Sequence, residues 1–361
     1  MSKFLLFSDI HVHPHKRSQN RLFDCLKALD WCLEKAVENS VDAVMFGGDL
    51  LHDRQKIDSQ TYVEVFKVLE KYQKEKFKVY LLVGNHDMWF ASAWSVASVY
   101  PFKSLSNFEV IDKTTSFDVC GVEWHFMPYT HHPIEELEKL PQSNIKNSYL
   151  LGHLSIDGAK LNSAGSIADV VIEHDGEMVK VNRNLFTKYK HVFLGHYHSS
   201  QKLTPTIEYI GSPLQLSYGE AGEKKHIIIL DSDTNERTYI ENDFSPRHYY
   251  IEQSRVDDIN EIVGEKHLKD AFITVLADDL TDKNIKKEIE TLVESHGLQG
   301  VQIKQKKSKD DEHVILDAKE ILIDEDKMLE KYVDQVNMDK LEKKLLLDIG
   351  HQIINFSKSE E

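Results

Sequence analysis

Five apolar runs in the first 200 residues of this 361-residue chain each stop at a cluster of aspartate, asparagine or histidine. Phe4 to Phe7 precedes Ser8-Asp9-Ile10-His11, Ala43 to Phe46 precedes Gly47-Gly48-Asp49, and Val79 to Val83 precedes Gly84-Asn85-His86-Asp87. Further on, Tyr149 to Leu151 precedes Gly152-His153, and Val192 to Leu194 precedes Gly195-His196-Tyr197-His198. Short apolar runs closed by turn residues read as buried strands, and in α/β sheets reactive groups gather where strands end. The pattern predicts one site assembled from five strand ends.

The side chains at those ends say what the site holds. Carboxylate and amide oxygens mixed with imidazole nitrogens, with no cysteine among them, suit borderline divalent ions such as manganese or iron better than a thiolate zinc site. Seven such groups exceed what one ion needs. Two ions about 3.5 to 4 Å apart form the usual clamp for in-line attack on a phosphate ester, so the pattern points to phosphoester hydrolysis.

Size and composition bound the rest. A chain of 361 residues exceeds one ordinary core, so a large domain with one or two small ones is expected. The net charge of −16 argues against nucleic-acid binding by charge alone, although two divalent cations add locally what that count omits. Cys25, Cys32 and Cys120 make no disulfide framework and read as buried thiols of a reducing compartment. The apolar start ends at Asp9, too early for a signal peptide or membrane span, which places the protein in the cytoplasm, with no membrane partner.

Between the ligand strands, Leu22, Leu26, Leu29, Leu33 and Val37 recur at helical spacing, as do Tyr62, Phe66, Leu69 and Tyr72. Alternating strands and helices predict a layered α/β sheet. Thr114 to Tyr129, Ile207 to Ile210, and the pair Lys225 to Leu230 and Arg237 to Glu241 read as antiparallel strands, the last two joined by the turn at Asp231 to Asn235. That turn resembles the start of a calcium loop but has Glu236 in place of the required glycine, so it reads as a hairpin. No Gly-Lys-Ser/Thr follows the glycines near Lys225, so no ATPase site is visible. After Ser245-Pro246 the pattern is strand (Ala271 to Leu276), amphipathic helix (Asp282 to His296) and strand (Gly300 to Lys304). A charged linker, Lys306 to Glu312, then leads to two amphipathic helices around Asn337-Met338-Asp339, too short to make a core alone.

Taken singly, each ligand cluster has an ordinary explanation, since a lone Asp-x-His at a strand end is commonly a cap or a core hydrogen bond. All five in order do not. The ordered signature Asp-x-His, Gly-Asp, Gly-Asn-His-Asp, Gly-His and Gly-His-x-His resembles that of the calcineurin-like metallophosphoesterases. Gly48-Asp49-Leu50-Leu51-His52 and the segment Tyr209 to Glu220, with its Gly211-Ser212-Pro213, further resemble the SbcD-type DNA-repair nuclease subunits. The likeness in specific motifs covers residues 1 to 245 and beyond them is one of architecture.

The resemblance implies an α/β fold: a layered metallophosphoesterase β-sandwich flanked by helices over 1–245, a small β-α-β DNA-facing cap over 246–308, and C-terminal helices over 309–361 that bind an SbcC-like coiled-coil ATPase. It implies that Asp9, His11 and His198 hold one ion, that Asn85, His153 and His196 hold the other, and that Asp49 bridges them. The ions are two Mn2+, with Mg2+ or Fe2+ as alternatives. His86 is then the acid at the leaving oxygen, and His52 contacts the phosphate, against the plainer reading of a solvated loop histidine. Asp87 is expected to cap a helix or orient a histidine. His13, His15, His125, His131 and His132 are expected to be exposed or packed. Lys16, Arg17 and Arg21 either meet a DNA backbone or solvate a helix start. The implied function is manganese-dependent exonuclease and single-strand endonuclease activity on DNA, in a homodimer within a heterotetramer, in a bacterial cell or phage-infected host. The rivals are a phosphatase or cyclic-nucleotide phosphodiesterase with the same metal residues, and a metal-free scaffold.

Overall fold

The computed structural model describes residues 2–15, 18–89, 96–142, 144–160, 167–168, 170–174, 177–277 and 297–305, with a few positions from Val333 to Leu347. The first half alternates as expected: β1 (Lys3–Phe7), α1 (Gln19–Glu38), β2 (Ala43–Phe46), α2 (Ser59–Lys71), β3 (Lys78–Leu82) and β4 (Phe108–Ile111). Then come β5 (Thr115–Val119), β6 (Val122–Met127), α3 (Pro133–Lys139), β7 (Tyr149–His153), β8 (Val171–His174), β9 (Glu177–Lys180) and β10 (His191–Gly195). The hairpins β11 (Gln201–Thr204) with β12 (Ile207–Tyr209) and β13 (His226–Asp231) with β14 (Glu236–Glu241) complete two six-stranded sheets.

The first sheet runs β14-β13-β1-β2-β3-β4, and the second runs β11-β12-β10-β7-β6-β5. Strands β1 to β4 are parallel, as are β6, β7, β10 and β12, with antiparallel strands outside them. Because side chains alternate along a strand, each run feeds two cores. Phe4, Leu6, Met45, Tyr80 and Leu82 face Trp124, Phe126, Tyr149, Leu151 and Phe193 between the sheets. Leu5, Phe7, Val44, Phe46, Val79 and Leu81 instead pack against Leu22, Leu26, Leu29, Leu33 and Val65 of the two long helices. Those helices start where short polar side chains accept first-turn N–H groups: Ser18 from Arg21 in α1 and Asp58 from Thr61 in α2.

Several expectations need correction. Val37 is 44% exposed, and Ala36 takes the last core position of α1. In α2, Thr61, Val65, Val68 and Leu69 form the buried face, with Tyr62 and Phe66 on its flank. The strand at Ile207 is antiparallel to β11 but parallel to β10. Cys25 and Cys32 are buried, whereas Cys120 is exposed in the β5–β6 turn at φ 55°. Arg21 neither solvates a helix start nor lies open to a backbone. It is 3% exposed, donates to the Gln215 carbonyl at 2.9 Å and sits 4.9 Å from the Phe272 ring centroid. Lys16 and Arg17 lie outside the described residues. The turn at Asp231 is a hairpin whose carboxylate accepts from Asp233 N and Thr234 N.

Beyond Pro246 the sheet is larger than the expected β-α-β unit. β15 (His248–Glu252), α4 (Ile259–Val263) and α5 (Glu265–Leu268) precede β16 (Phe272–Ala277) and β17 (Gly300–Gln305), and the three strands pair in parallel as β15-β16-β17. β15 has no clear sequence signal because His248 to Glu252 is half polar. The helix expected at Asp282 to His296 and the charged linker lie outside the described residues, as does nearly all of the C-terminal segment. The chain divides into compact units Met1–Lys307 and Ser308–Glu361. Among the described residues no helix is long and apolar enough to cross a membrane.

Candidate metal centre

The loops after β1, β2, β3, β7 and β10 converge, and two groups of donor atoms form. In one, His11 Nε2 lies 3.0 Å from His198 Nε2, 3.4 Å from Asp49 Oδ2 and 3.9 Å from Asp9 Oδ1. In the other, Asn85 Oδ1 lies 3.0 Å from His153 Nε2 and 2.9 Å from His196 Nδ1, and His153 Nε2 is 3.3 Å from Asp49 Oδ2. All seven side chains expected from the sequence are thus brought together, with Asp49 adjoining both groups.

The backbone is bent to achieve this. Asp9, His11, Asp49 and His196 have φ of 55°, 47°, 57° and 98°, a left-handed region costing about 1–3 kcal/mol per non-glycine residue and concentrated at functional sites. Glycines admit the close approaches. Gly48 stands at φ +99° where a Cβ would lie 2.7 Å from His153 Nδ1, and a Cβ on Gly84 would collide with the Asp49 carboxylate.

On His153, His198 and His11 the ring nitrogens that face away from the two groups are tied. His153 Nδ1–H donates to the Gly47 carbonyl at 2.7 Å, His198 Nδ1 lies 3.2 Å from Glu220 Oε1, and His11 Nδ1 lies 3.3 Å from His52 Nδ1. Such outer partners are what orient metal-ligating imidazoles. With their outer nitrogens engaged, His11 and His198 then bring two Nε2 lone pairs to 3.0 Å from one another, an arrangement a shared cation reconciles. Two buried carboxylates add to the demand. Burial pushes Asp9 up, and burial acts likewise on Asp49, but His153 and His11 overcome it and hold Asp49 below the usual range. Burial lowers His153, and Asp49 outweighs it, raising the imidazole to about 9. Hard oxygens with imidazole nitrogens and no thiolate fit borderline divalent ions, so the residues fit a pair of such ions.

His86 and His52 flank the His11 group. The His86 N–H donates to Asp49 Oδ1 at 2.7 Å, and its Nδ1–H donates to the His52 carbonyl at 2.7 Å, with the two rings stacked 5.3 Å apart. Among the described residues the Asp87 side chain caps no helix and bonds no histidine. Its carboxylate accepts from Gly84 N, Asp49 N, Leu50 N and Leu51 N at 2.9–3.1 Å. Burial and the Asp49 charge raise it to about 7, against four N–H donors that favour the anion.

Other groups at the site are not evident from sequence. Tyr129, two residues beyond β6, lays its ring 5.9 Å from His196 and 6.3 Å from His153. The Pro128-Tyr129 stop after a buried strand is its one sequence signal. Glu220 closes the Gly-Ser-Pro segment, and nothing in its local pattern suggests a role. His13 pairs with Asp53 at 3.0 Å and His15 with the His11 carbonyl at 3.2 Å, both rings about 5 Å from His52 (5.1 and 4.9 Å). His125 is buried away from the site, bonded to Tyr189 Oη at 3.0 Å.

Fold and donor set together define a phosphoesterase-type metal centre. The calcineurin-like phosphoesterase pattern matches residues 2–200, more than half of the chain, and the chain belongs to that family of divalent-metal phosphoesterases. Exonuclease subunit 1 of Enterobacteria phage T4 is 22% identical over 271 residues, covering 73% of this chain and 74% of that protein. Among solved structures, an archaeal phosphodiesterase is similar at 15% identity and a TM-score of 0.35, covering 66% of this chain and 99% of that one. The nuclease MPE of Pseudomonas putida is similar at 16% identity and a TM-score of 0.28, covering 62% and 83%.

Proposed function

We propose that this chain is the nuclease subunit of an SbcD-like complex and hydrolyses DNA phosphodiester bonds, as an exonuclease and a single-strand endonuclease, with two manganese ions. Asp9, His11 and His198 hold one ion, Asn85, His153 and His196 the other, and Asp49 is shared. The observation that carries this is the placement of Asp49 Oδ2, 3.4 Å from His11 Nε2 and 3.3 Å from His153 Nε2, which puts one carboxylate oxygen within reach of both donor groups. When bound, two divalent ions would supply a water acidified enough to serve as nucleophile and would offset the charge that develops on the phosphate.

The chain's own residues do the remainder. Asp49 keeps the two donor groups in register, and Asp87 keeps the loop of Asp49 in place. His86 has Nδ1–H engaged by the His52 carbonyl, so its imidazolium form presents a second proton on Nε2 for the leaving oxygen and is left as the neutral Nδ1–H tautomer. His52, accepting at Nδ1 from His11, keeps Nε2–H for a non-bridging phosphate oxygen. Tyr129 limits the opposite side, beside His196.

A polynucleotide substrate is supported by the name of the phage relative, an exonuclease, and membership of a complex by its being a subunit. In this reading residues 246–308 face the DNA, residues 309–361 dock on an SbcC-like ATPase, and the chain works as a homodimer. Linear duplex, single-stranded circles, a phosphoserine peptide and a cyclic nucleotide, assayed side by side with manganese, test it. Turnover of the DNAs is expected, and rapid turnover of only the last two would replace the nuclease reading with a phosphatase or cyclic-nucleotide phosphodiesterase.

A further inference from the structure

The segment Gly211 to Glu220 crosses from β12 to a short 3-10 turn at Tyr218–Glu220, and it ends on a buried carboxylate. Glu220 is 5% exposed, a burial that an anion tolerates only with partners. Its two oxygens have different partners. Oε1 lies 3.2 Å from His198 Nδ1. Oε2 takes an ion pair from Lys225 Nζ at 2.7 Å and accepts the Leu216 N–H at 3.2 Å, while the Ser212 hydroxyl donates to the Leu214 carbonyl at 2.9 Å. Lys225, equally buried, also donates to the His198 carbonyl at 2.9 Å and to Glu223 at 2.8 Å, and Ser212 N donates to that same carbonyl at 3.0 Å.

His198 is therefore gripped at its ring and at its backbone by one network. A carboxylate anchored at Oε2 by an ammonium and a backbone N–H is fixed in place. With Nδ1–H committed to Oε1, the Nε2 lone pair of His198 faces His11 Nε2 at 3.0 Å. The other donor group is built differently. His153 has its outer nitrogen fixed by the Gly47 carbonyl, a neutral acceptor. A charged outer partner raises the basicity of a ligating imidazole more than a neutral one does.

Resting on the two-ion reading, we propose that Glu220, clamped by Lys225, is a positioning residue for one of the two ions only. It sets the tautomer and basicity of His198, and so governs the ion at Asp9, His11 and His198 while leaving the ion at Asn85, His153 and His196 untouched. The Gly-Ser-Pro segment then acts at one remove from the metal, because the Leu216 N–H holds the carboxylate that holds the histidine ring and the Ser212 N–H holds the histidine carbonyl.

The test isolates each ion in the full-length protein. His153→Ala leaves the His198 ion, His198→Ala leaves the other, and Glu220→Gln is added to each. Manganese binding is read by electron paramagnetic resonance of the unbound ion. Glu220→Gln is expected to weaken binding about 10- to 100-fold beside His153→Ala and to leave it unchanged beside His198→Ala. Equal weakening in both backgrounds, which a general structural role would produce, overturns the proposal, as does no change in the first. Lys225→Met, which keeps the carboxylate and removes its clamp, is expected to act in the same direction and with the same selectivity. Wild-type protein that binds no manganese would sink the two-ion reading itself, a separate outcome from any effect at Glu220.

Discussion

At Asp87 one buried carboxylate accepts four backbone N–H bonds and so fixes the loop that presents Asp49. Asp87→Ala orphans those donors inside the protein. Stranded buried donors cost about 1–3 kcal/mol each, less where the loop relaxes toward water, so a loss on the order of 3–5 kcal/mol is expected in urea unfolding. A loss under about 1 kcal/mol would show the loop is held by other contacts. His86 tests chemistry rather than stability. His86→Ala is expected to abolish cleavage while both ions still bind, because its side chain bonds a carbonyl and not the donor groups; release of manganese from that variant would make it a ligand instead. The ligand residue types were legible in the sequence because they cluster at strand ends. The role of Asp87 was not, since three of its four partners come from one loop 36 to 38 residues away and the fourth from its own turn.

Among the elements, the contact between the two sheets rests on large aromatics. Trp124 of β6 is fully buried, stacked on Tyr149 at 4.9 Å and edge-on to Phe4 at 5.2 Å. Trp124→Ala is expected to cost about 3–5 kcal/mol, read as a lowered melting temperature, and an unchanged one would mean the sheets are held elsewhere. A polar seam joins strands from both sheets. His191 Nε2–H of β10 donates to Glu208 Oε1 of β12 at 2.9 Å, Tyr239 Oη of β14 donates to Oε2 at 2.7 Å, and Arg237 of β14 donates to His191 Nδ1 at 3.0 Å. Burial lowers His191 despite Glu208, and the charge of Arg237 adds to it. The unfolded chain therefore takes up a proton near the ordinary 6.5 that the folded chain refuses. This share of stability is complete above about 6.5 and falls as pH drops below it. Unfolding midpoints at pH 7.5 and 5.5 are expected to fall further in wild type than in His191→Gln; an equal fall would mean that His191 does not titrate differently on folding. The parallel strands were readable as apolar runs, whereas their pairing with edge hairpins depended on contacts no local pattern contains.

For the whole molecule, the chain carries a net charge of −16, yet seven convergent donors at one edge of the sandwich offer a seat for four positive charges in two divalent ions. The contact division after Lys307 supplies the remaining prediction. Deletion of residues 308–361 is expected to leave Met1–Lys307 folded and manganese-binding while abolishing association with a coiled-coil ATPase in co-purification. An unchanged complex after deletion would remove that segment from the interface.

The α/β class, the five strand ends and the residue types they carry follow from residue order alone, because hydrophobic period and turn chemistry are local and survive in one dimension. The sequence misplaced Arg21, which looked exposed and lies buried against Phe272, and it left Glu220 idle. Which nitrogen of each histidine faces inward, which backbones bend to positive φ, and which carboxylate grips which ring emerge in three dimensions alone. Those facts depend on approaches of about 3 Å between residues such as His11 and His198, 187 positions apart, and distance in space between remote segments is set by packing, not by neighbours along the chain.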